Sequence, residues 1–275
     1  MPWSIILVGA CFLLFGVLSR RFACNPGQPA FFPRERADDV LYYFFNTLCY
    51  SSIAALLLKW VLTARFGAEA PHALAAVKSG YGAMARLPFV VQAGLILLIT
   101  DFCQYWLHRA FHGRRLWPFH AIHHGAEEVD WTTTFRVHPV NYLLYTTWVA
   151  VLVQLMGFRP EVFFVIAPVN FVHAALVHAN LNWTFGPFRY VLASPVFHRW
   201  HHVSDPAVRD KNFSPTFPVF DLVFGTFHMP RGELPAGYGA EGVPPHFLGQ
   251  MAYPFRPLWE WAVKAPKAGL GPSGA

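Results

Sequence analysis

Long apolar runs fill most of the first two thirds of the chain and predict membrane-spanning helices. Three runs cover residues 3–18, 40–62 and 87–107, and two more follow at 140–156 and 161–177. A helix of about 20 mostly apolar residues is long enough to cross the hydrocarbon core of a bilayer. The pattern therefore predicts an all-α membrane protein with about three N-terminal spanning helices followed by a helical hairpin.

The predicted hairpin has a very short connection, Gly157-Phe158-Arg159-Pro160. Glycine commonly follows the last residue of a helix and proline commonly opens the next one. We therefore expect two antiparallel helices joined by a tight turn.

Basic residues at the ends of the runs predict the sidedness of the helices. Arg20 and Arg21 follow the first run and no basic residue precedes it, so its carboxyl end is expected in the cytoplasm. Counting crossings from there places the segments that follow residues 107 and 177 on the same, cytoplasmic side. From about Gly186 the chain becomes proline-rich and has no further run of spanning length. This pattern predicts a cytoplasmic helical cap.

These patterns divide the chain into three parts. Residues 1–86 hold the N-terminal membrane helices and a connecting loop, residues 87–230 hold the later helices and the start of the cap, and residues 231–275 form a C-terminal cytoplasmic tail. We find no internal repeat and no linker that separates a second globular unit.

Composition supports a membrane location. Charged residues make up 13% of the chain, about half of the roughly 25% that soluble domains carry, and the mean hydropathy is +0.33. Such an apolar chain is not a disordered one. The net charge of +6 is better explained by cytoplasmic lipid headgroups than by nucleic acid, so no nucleic-acid partner is expected.

Histidine is concentrated in four short segments with the letters HRAFH, HAIHH, HAN and HRWHH, each close to the end of a predicted span. Side chains three and four residues apart share one face of a helix, which is how a helix presents several imidazoles to a metal. Imidazole suits iron, zinc, copper and nickel, and nine ligands exceed what one ion can use, which points to two ions. The nine candidate ligands are His108, His112, His120, His123, His124, His178, His198, His201 and His202.

These segments, with DFCQYWLHR around the first and FDLVFGTF after the last, resemble the fatty acid hydroxylase/sterol desaturase superfamily over residues 95–229. The resemblance implies that residues 87–230 form a catalytic domain with an integral membrane di-iron site that activates O₂ and hydroxylates or desaturates a lipid of sterol or fatty-acyl type. It implies that the motif histidines bind the two iron ions, with His178 as the ninth ligand. No cytochrome-type domain is fused to this sequence, so a separate protein is expected to donate the electrons.

Other polar residues are candidates for supporting roles. His173 is a candidate extra ligand, although its five-residue spacing from His178 is a poor one for sharing a face. A carboxylate that accepts the second ring N–H of a histidine fixes its tautomer, and a charged residue inside a span needs such a partner. The candidates for this outer role are Asp101, Asp221, Asn180 and Asn212.

Two alternatives remain open at this stage. A membrane zinc hydrolase needs a general base, and no carboxylate lies inside a histidine motif, although Glu127 and Glu128 follow HAIHH closely. A metal transporter or sensor would place its ionisable residues deep inside the spans, whereas these lie at span ends. The sequence carries no C-terminal retrieval signal, which favours a bacterial inner membrane over the endoplasmic reticulum.

Overall fold

The computed structural model describes residues 2–31, 35–67 and 79–256, which fold into helices and connecting loops with no extended strand in these ranges. Residues 68–78 of the predicted connecting loop and residues 257–275 of the predicted tail lie outside the described part. We number the α-helices in chain order: α1 Pro2–Arg21, α2 Arg36–Phe66, α3 Gly82–Arg86, α4 Phe89–Phe111, α5 Trp117–His124, α6 Pro139–Met156, α7 Pro160–His178, α8 Pro195–His201, α9 Val219–Val223 and α10 Phe247–Ala252. Short 3₁₀ turns lie at Trp131–Phe135, Gly186–Tyr190 and Tyr253–Phe255.

Four of the described helices, α2, α4, α6 and α7, are long and apolar enough to cross a membrane. Large apolar side chains on them face outward: Val90 is 79% exposed, and Leu48, Trp60 and Phe164 are also exposed. An outward apolar surface is stable in lipid and unfavourable in water. The first predicted run forms the 20-residue helix α1, and both the total number of crossings and their sidedness remain predictions.

The tight turn between α6 and α7 forms as the sequence predicts. Gly157 ends α6 in the left-handed conformation, with φ of 82°, and Pro160 opens α7. The backbone N–H of Tyr81 donates to the Gly157 carbonyl at 2.9 Å. A β-carbon at position 157 would overlap the Tyr81 carbonyl oxygen, so this turn needs glycine for its conformation and for the close approach.

The cap helix α8 is fixed against the end of α7 by a compact apolar cluster. Val177 of α7 packs there with Val196, Phe197 and Trp200 of α8. Ser194 caps α8 by accepting a hydrogen bond from the Phe197 backbone N–H. This packing brings the carboxyl end of one long helix next to a short helix that carries His198 and His201 and is followed by His202.

The described part of the predicted tail packs on the N-terminal region. The Phe247 backbone N–H donates to Asp38 of α2 at 3.1 Å, and the Phe247 ring lies against Tyr42 at 4.8 Å. Near the start of the tail, the Pro235 carbonyl accepts a bond from the Asn25 side chain. Residues 235–247 therefore contribute to the fold, and the three-part division of the chain remains a prediction.

Candidate metal centre

All nine candidate ligands converge in space and form two groups. In each group every residue offers a ligand atom within 4.8 Å of the others. The five-histidine group contains His108, His112, His120, His124 and His201. The four-histidine group contains His123, His178, His198 and His202.

The helical spacing divides each HxxHH motif between the two groups. On α5, His120 and His124 are four residues apart and belong to the five-histidine group, whereas His123 belongs to the four-histidine group. On α8 the arrangement is reversed, because His198 and the adjoining His202 belong to the four-histidine group. Residues four apart lie one above the other on a helix, so each helix supplies one pair to one group and a single ring to the other.

Five of the nine candidate rings have a backbone or amide carbonyl oxygen within hydrogen-bond distance of Nδ1, and a sixth ring, His112, has a carboxylate oxygen there. A carbonyl oxygen can only accept, so Nδ1 of those five rings carries the proton and Nε2 keeps its lone pair. The Nδ1–O distances lie between 2.7 and 3.1 Å. The pairs are His108 with the Phe213 carbonyl, His120 with the Asn141 side-chain oxygen, His123 with the Arg136 carbonyl, His178 with the Ala174 carbonyl and His201 with the Lys211 carbonyl.

Nitrogen atoms that carry no proton face each other inside both groups. Nε2 of His108 lies 3.0 Å from Nε2 of His120, and Nε2 of His178 lies 3.2 Å from Nε2 of His123. Two lone pairs at this distance repel unless a cation lies beside both. Metal–nitrogen bonds of about 2.1 Å place neighbouring ligand atoms about 3.0 Å apart at right angles, which matches the observed separations.

Further ring nitrogens are buried without a hydrogen-bond partner. Within the described residues they include Nε2 of His112, His124 and His201, all in the five-histidine group. A buried polar atom with no partner costs free energy that must be recovered elsewhere. The residues present therefore fit a bound metal ion, which would satisfy these atoms.

Burial keeps the imidazoles of the two cap helices in the neutral form that binds metal. The pKa values of His120, His124 and His201 lie well below 6.5, because burial disfavours the charged ring and the neighbouring imidazoles repel a second positive charge. The same causes lower the pKa values of His123, His198 and His202. A ligand must be deprotonated to bind a metal, so these rings need no proton removed at neutral pH.

The five-histidine group approaches the polar surface at His112. Nδ1 of His112 lies 2.7 Å from the Asp210 carboxylate, whose side chain is 54% exposed. The hydrogen bond from His112 lowers the pKa of Asp210, and the positive groups nearby act in the same direction. Asp210 is thus the carboxylate that orients a candidate ligand directly, and sequence reasoning missed it because it lies 98 residues from His112.

We expected Asp101 and Asp221 to accept a hydrogen bond from a histidine ring. Instead, both carboxylates accept from backbone N–H groups of residues 213–217, which corrects that expectation. Asp101 accepts bonds from the backbone N–H groups of Thr216 and Phe217. Asp221 accepts from those of Phe213 and Ser214 and from the Thr226 hydroxyl. Burial raises the pKa of Asp221. Both side chains fix the 213–217 loop, and the Phe213 carbonyl of that loop orients His108.

The two asparagines also bond to the backbone and not to a ring, and this too corrects the expectation. Asn180 exchanges hydrogen bonds with the backbone of Asn25. Asn212 donates to the Phe197 and His228 carbonyls and accepts from the His228 N–H.

His173 belongs to neither group. Its Nε2 lies 3.1 Å from the Ala193 carbonyl, to which it donates. His138 lies outside the four histidine segments. Its ring accepts a hydrogen bond from the Val140 N–H and so caps the start of α6.

A buried charge network behind His123 was not predicted from the sequence. The Arg136 side chain forms ion pairs with Asp39 at 2.6 Å and Glu35 at 2.7 Å, and Asp39 also accepts from the Thr132 hydroxyl. The two acids hold the pKa of Arg136 above its usual value against the effect of burial. This network links the start of α2 to the residue whose carbonyl orients His123, over 97 positions in the chain.

Arg199, inside the HRWHH motif, is a second buried anchor. It is completely buried and donates to the carbonyls of Val129 and His178. Its guanidinium also bonds the Asn25 side chain and lies over the Tyr238 ring. It therefore connects the ends of α7 and α8 to the loop that follows α1.

Comparison with known proteins identifies the class. Residues 93–226, which contain all nine candidate ligands, match the family described as Fatty acid hydroxylase. This match confirms the resemblance predicted from the histidine motifs.

Particular relatives are lipid-modifying enzymes. Ornithine lipid hydroxylase OlsE of Rhizobium tropici is 32% identical over 170 residues, which cover 61% of this chain and 51% of the relative. Alkylglycerol monooxygenase of Xenopus tropicalis is 32% identical over 140 residues, which cover 50% of this chain and 31% of the relative. Very-long-chain aldehyde decarbonylase GL1-6 of Oryza sativa subsp. japonica is 30% identical over 160 residues, or 53% of this chain and 24% of the relative.

The matched region spans about half the length of the first of these relatives and less of the others. No solved structure matches the chain.

Proposed function

We propose that this protein is a multi-pass membrane oxygenase that binds two iron ions in its two histidine groups and hydroxylates a lipid, using O₂ and electrons from a separate donor protein. The observation that carries the proposal is the pair of facing, unprotonated Nε2 atoms in each group, since such a contact is stable only with a cation beside both nitrogens. Two such groups indicate two ions. Iron is favoured because the family is one of iron-dependent oxygenases.

When bound, the two iron ions supply the activation of O₂ that amino-acid side chains cannot provide. The protein side chains hold the site in one geometry. Each Nδ1–H that donates to a fixed carbonyl sets the tautomer and the ring plane. The 213–217 loop, held by Asp101 and Asp221, and the Arg136 network, held by α2, keep those carbonyls in place. Burial of the ligands excludes bulk water from the metal positions.

Hydroxylation is the favoured outcome, with desaturation as the alternative product of the same type of site. Ornithine lipid hydroxylase and alkylglycerol monooxygenase both add oxygen to a lipid by their names. The lipid substrate is proposed to reach the site from the bilayer. The metal site is proposed to lie on the cytoplasmic side, at the inner membrane of a bacterium.

The zinc hydrolase alternative is less well supported by the geometry. Among the described residues, neither histidine group includes a carboxylate. Glu127, which follows HAIHH, is exposed and uses its backbone N–H to bond Glu35. Hydrolysis needs a base beside the metal-bound water, and neither group supplies one.

The transporter or sensor alternative requires a metal ion to enter and leave. Eight of the nine ligands are buried, and six are anchored by a hydrogen bond between Nδ1 and an oxygen. Anchoring of this kind suits a resident metal.

The proposal is tested by expressing the full chain in a bacterial host and comparing the lipid extract with that of a host carrying His123→Ala. We expect a lipid species heavier by one oxygen atom, or lighter by two hydrogens, only with the unaltered chain. Growth in ¹⁸O₂ will place the heavy isotope in a hydroxylated product. The host strain is chosen to contain the substrate lipids of the named relatives. In that strain, identical lipid profiles with the unaltered chain and with His123→Ala would refute the proposed activity.

A further inference from the structure

A surface pocket lies beside the five-histidine group, at the end of a candidate membrane span. It is lined by His112, Arg114, Trp117, Arg209 and Asp210. The first three of these follow directly on α4, which is one of the candidate spans, and the other two belong to the loop after α8. Charged side chains just beyond the end of a span extend towards water, so a soluble protein can reach this pocket.

Basic side chains dominate the rim of the pocket. The two segments that meet there, residues 109–115 and 205–211, contain five lysine or arginine residues and two acidic ones. Arg114 is exposed, and the Arg209 side chain is 56% exposed. The Asp210 carboxylate lies 2.7 Å from Nδ1 of His112 and 3.9 Å from Arg209, so its charge is compensated within the chain. The rim therefore presents a net positive charge to the solvent.

The inner wall of the pocket connects this rim with two candidate metal ligands. His112 is one of them, and its side chain is only 4% exposed. The half-buried Trp117 ring lies 5.2 Å from the His112 ring and 5.3 Å from the His124 ring, measured between centroids. His124 belongs to the same five-histidine group. One aromatic side chain thus reaches both the surface and two ligands, which gives an electron a short path inward.

We propose that this pocket is the docking site of a small acidic protein that carries one electron at a time, and that the electrons pass through Trp117 and His112 to the five-histidine group. The inference rests on the proposed function. Hydroxylation breaks a C–H bond, places one oxygen atom of O₂ in the product and releases the other as water, which consumes two electrons and two protons. The carrier protein is oxidised in two encounters, and the iron-loaded centre gains one electron in each.

The pocket fits a protein carrier better than a lipid headgroup. A headgroup needs only the basic rim, whereas this pocket also holds an aromatic ring beside two candidate ligands. Redox partners associate through small interfaces, below about 1,200 Å² in total, and opposite charges steer them together. A compact basic rim around one nearly covered ligand matches an encounter of this kind.

Binding is measured without turnover. The full chain, in nanodiscs of uncharged phosphatidylcholine, is titrated with two small acidic carriers, a plant-type [2Fe–2S] ferredoxin and a flavodoxin, and with the basic carrier cytochrome c. Thermophoresis gives the Kd at low and at high salt. We expect at least one acidic carrier to bind more tightly than cytochrome c. We also expect its affinity to fall as salt is added, because salt screens exposed charges.

Charge reversal on the rim separates this pocket from the rest of the surface. Arg114→Glu and Arg209→Glu are each expected to weaken binding of the acidic carrier about tenfold, because like charges across an interface repel. Arg21→Glu is the matched control. It makes the same change in net charge at an exposed arginine that does not line the pocket, and it is expected to leave the Kd unchanged.

The path through Trp117 has a readout of its own. The reduced carrier is mixed with iron-loaded chain, and stopped-flow absorbance follows its oxidation at saturating concentration, where affinity no longer limits the rate. Trp117→Leu is expected to slow this step, and Trp117→Phe, which keeps an aromatic ring, to retain more of the rate. Equal rates in the three proteins, matched for iron content, would overturn the path.

The remaining outcomes separate this inference from its alternatives. Failure of both acidic carriers to bind, or equal affinity in the two rim variants and Arg21→Glu, overturns the docking site. Native mass spectrometry counts the phosphatidylglycerol that each variant retains, and loss of this lipid with unchanged carrier binding would assign the rim to a headgroup instead. Binding that depends on Arg114 and Arg209, in a chain that oxidises no lipid, supports the docking site and counts against the proposed function alone.

Discussion

At the scale of single residues, the hydrogen bond at Nδ1 decides which ring nitrogen is left for a metal. The sequence predicts that nine histidines come together, but it carries no sign of the partners that orient them. Most of these partners, such as the Phe213 and Lys211 carbonyls, belong to the backbone and have no residue-type signature. The charged pair of Arg136 and Asp39 was equally hidden, since nothing in the sequence links positions 97 apart.

Removal of one ligand should empty a metal position without unfolding the chain. His201→Ala is expected to lower bound iron by at least one ion per chain, since Nε2 of His201 is buried and has no other partner among the described residues. His246→Ala is the control, because His246 belongs to neither group. Metal analysis of both variants after gel filtration checks this, and equal iron content in the two would contradict the assignment of His201.

The buried charge network should dominate stability near His123. Arg136→Met leaves Asp39 as an uncompensated buried charge, and breaking a buried pair in this way costs about 3–5 kcal/mol. Both side chains are almost completely buried. We expect Arg136→Met to lower the midpoint of thermal unfolding in detergent by a large amount. The double variant Arg136→Met/Asp39→Asn is expected to regain more than half of the lost midpoint. A double variant no more stable than the single one would show that the pair itself is not the cause.

At the scale of helices, apolar runs locate each long helix well and its ends less well. The hairpin helices were predicted at 140–156 and 161–177 and form at Pro139–Met156 and Pro160–His178. The agreement is close at the turn because Gly157 marks the end of the first helix and Pro160 marks the start of the second. The run predicted at 87–107 forms Phe89–Phe111 instead, since the helix continues through HRAF after the apolar pattern stops. Four-residue spacing within the motifs predicts shared faces, but the division of each HxxHH motif between two groups depends on where neighbouring helices lie.

The turn between α6 and α7 should tolerate no side chain at position 157. Gly157→Ala would force a residue with φ of 82° into a region that costs about 1–2 kcal/mol, and its β-carbon would overlap the Tyr81 carbonyl. We expect a destabilisation of more than about 2 kcal/mol. Gly94→Ala is the control, because a β-carbon there meets nothing within 4 Å and alanine favours a helix interior. Thermal unfolding of the two variants measures the contrast, and equal midpoints would show that the turn is not constrained as described.

At the scale of the whole molecule, four long apolar helices carry a cap in which segments from distant parts of the chain converge. The convergence of HRAFH, HAIHH, HAN and HRWHH follows from the number of helices between them, which is why the sequence could predict it. The inequality of the two groups could not be predicted. One group meets a cavity between α4, α6 and α7, which His178 and His198 line, and the other meets the exposed Asp210 through His112. Both environments arise only from packing.

Acidification should release the metal and destabilise the metal-free fold. The pKa values of His120, His123, His124, His198, His201 and His202 are well below 6.5 in the folded chain and about 6.5 in an unfolded one. The unfolded chain therefore binds more protons below pH 6.5, so stability is fully present above that pH and falls as the pH decreases. Unfolding midpoints of the metal-free protein across pH 5 to 8 check this, and a midpoint that rises on acidification would contradict the burial of neutral rings.

The most direct test of the central claim is the metal content of the purified full chain. The protein is produced in iron-supplied cells and separated from loosely bound metal by gel filtration. Elemental mass spectrometry gives the metal concentration, amino-acid analysis gives the protein concentration, and their ratio is the number of metal ions per chain. Two histidine groups predict about two iron ions per chain. One metal ion or fewer per chain, or zinc in place of iron, would contradict the account.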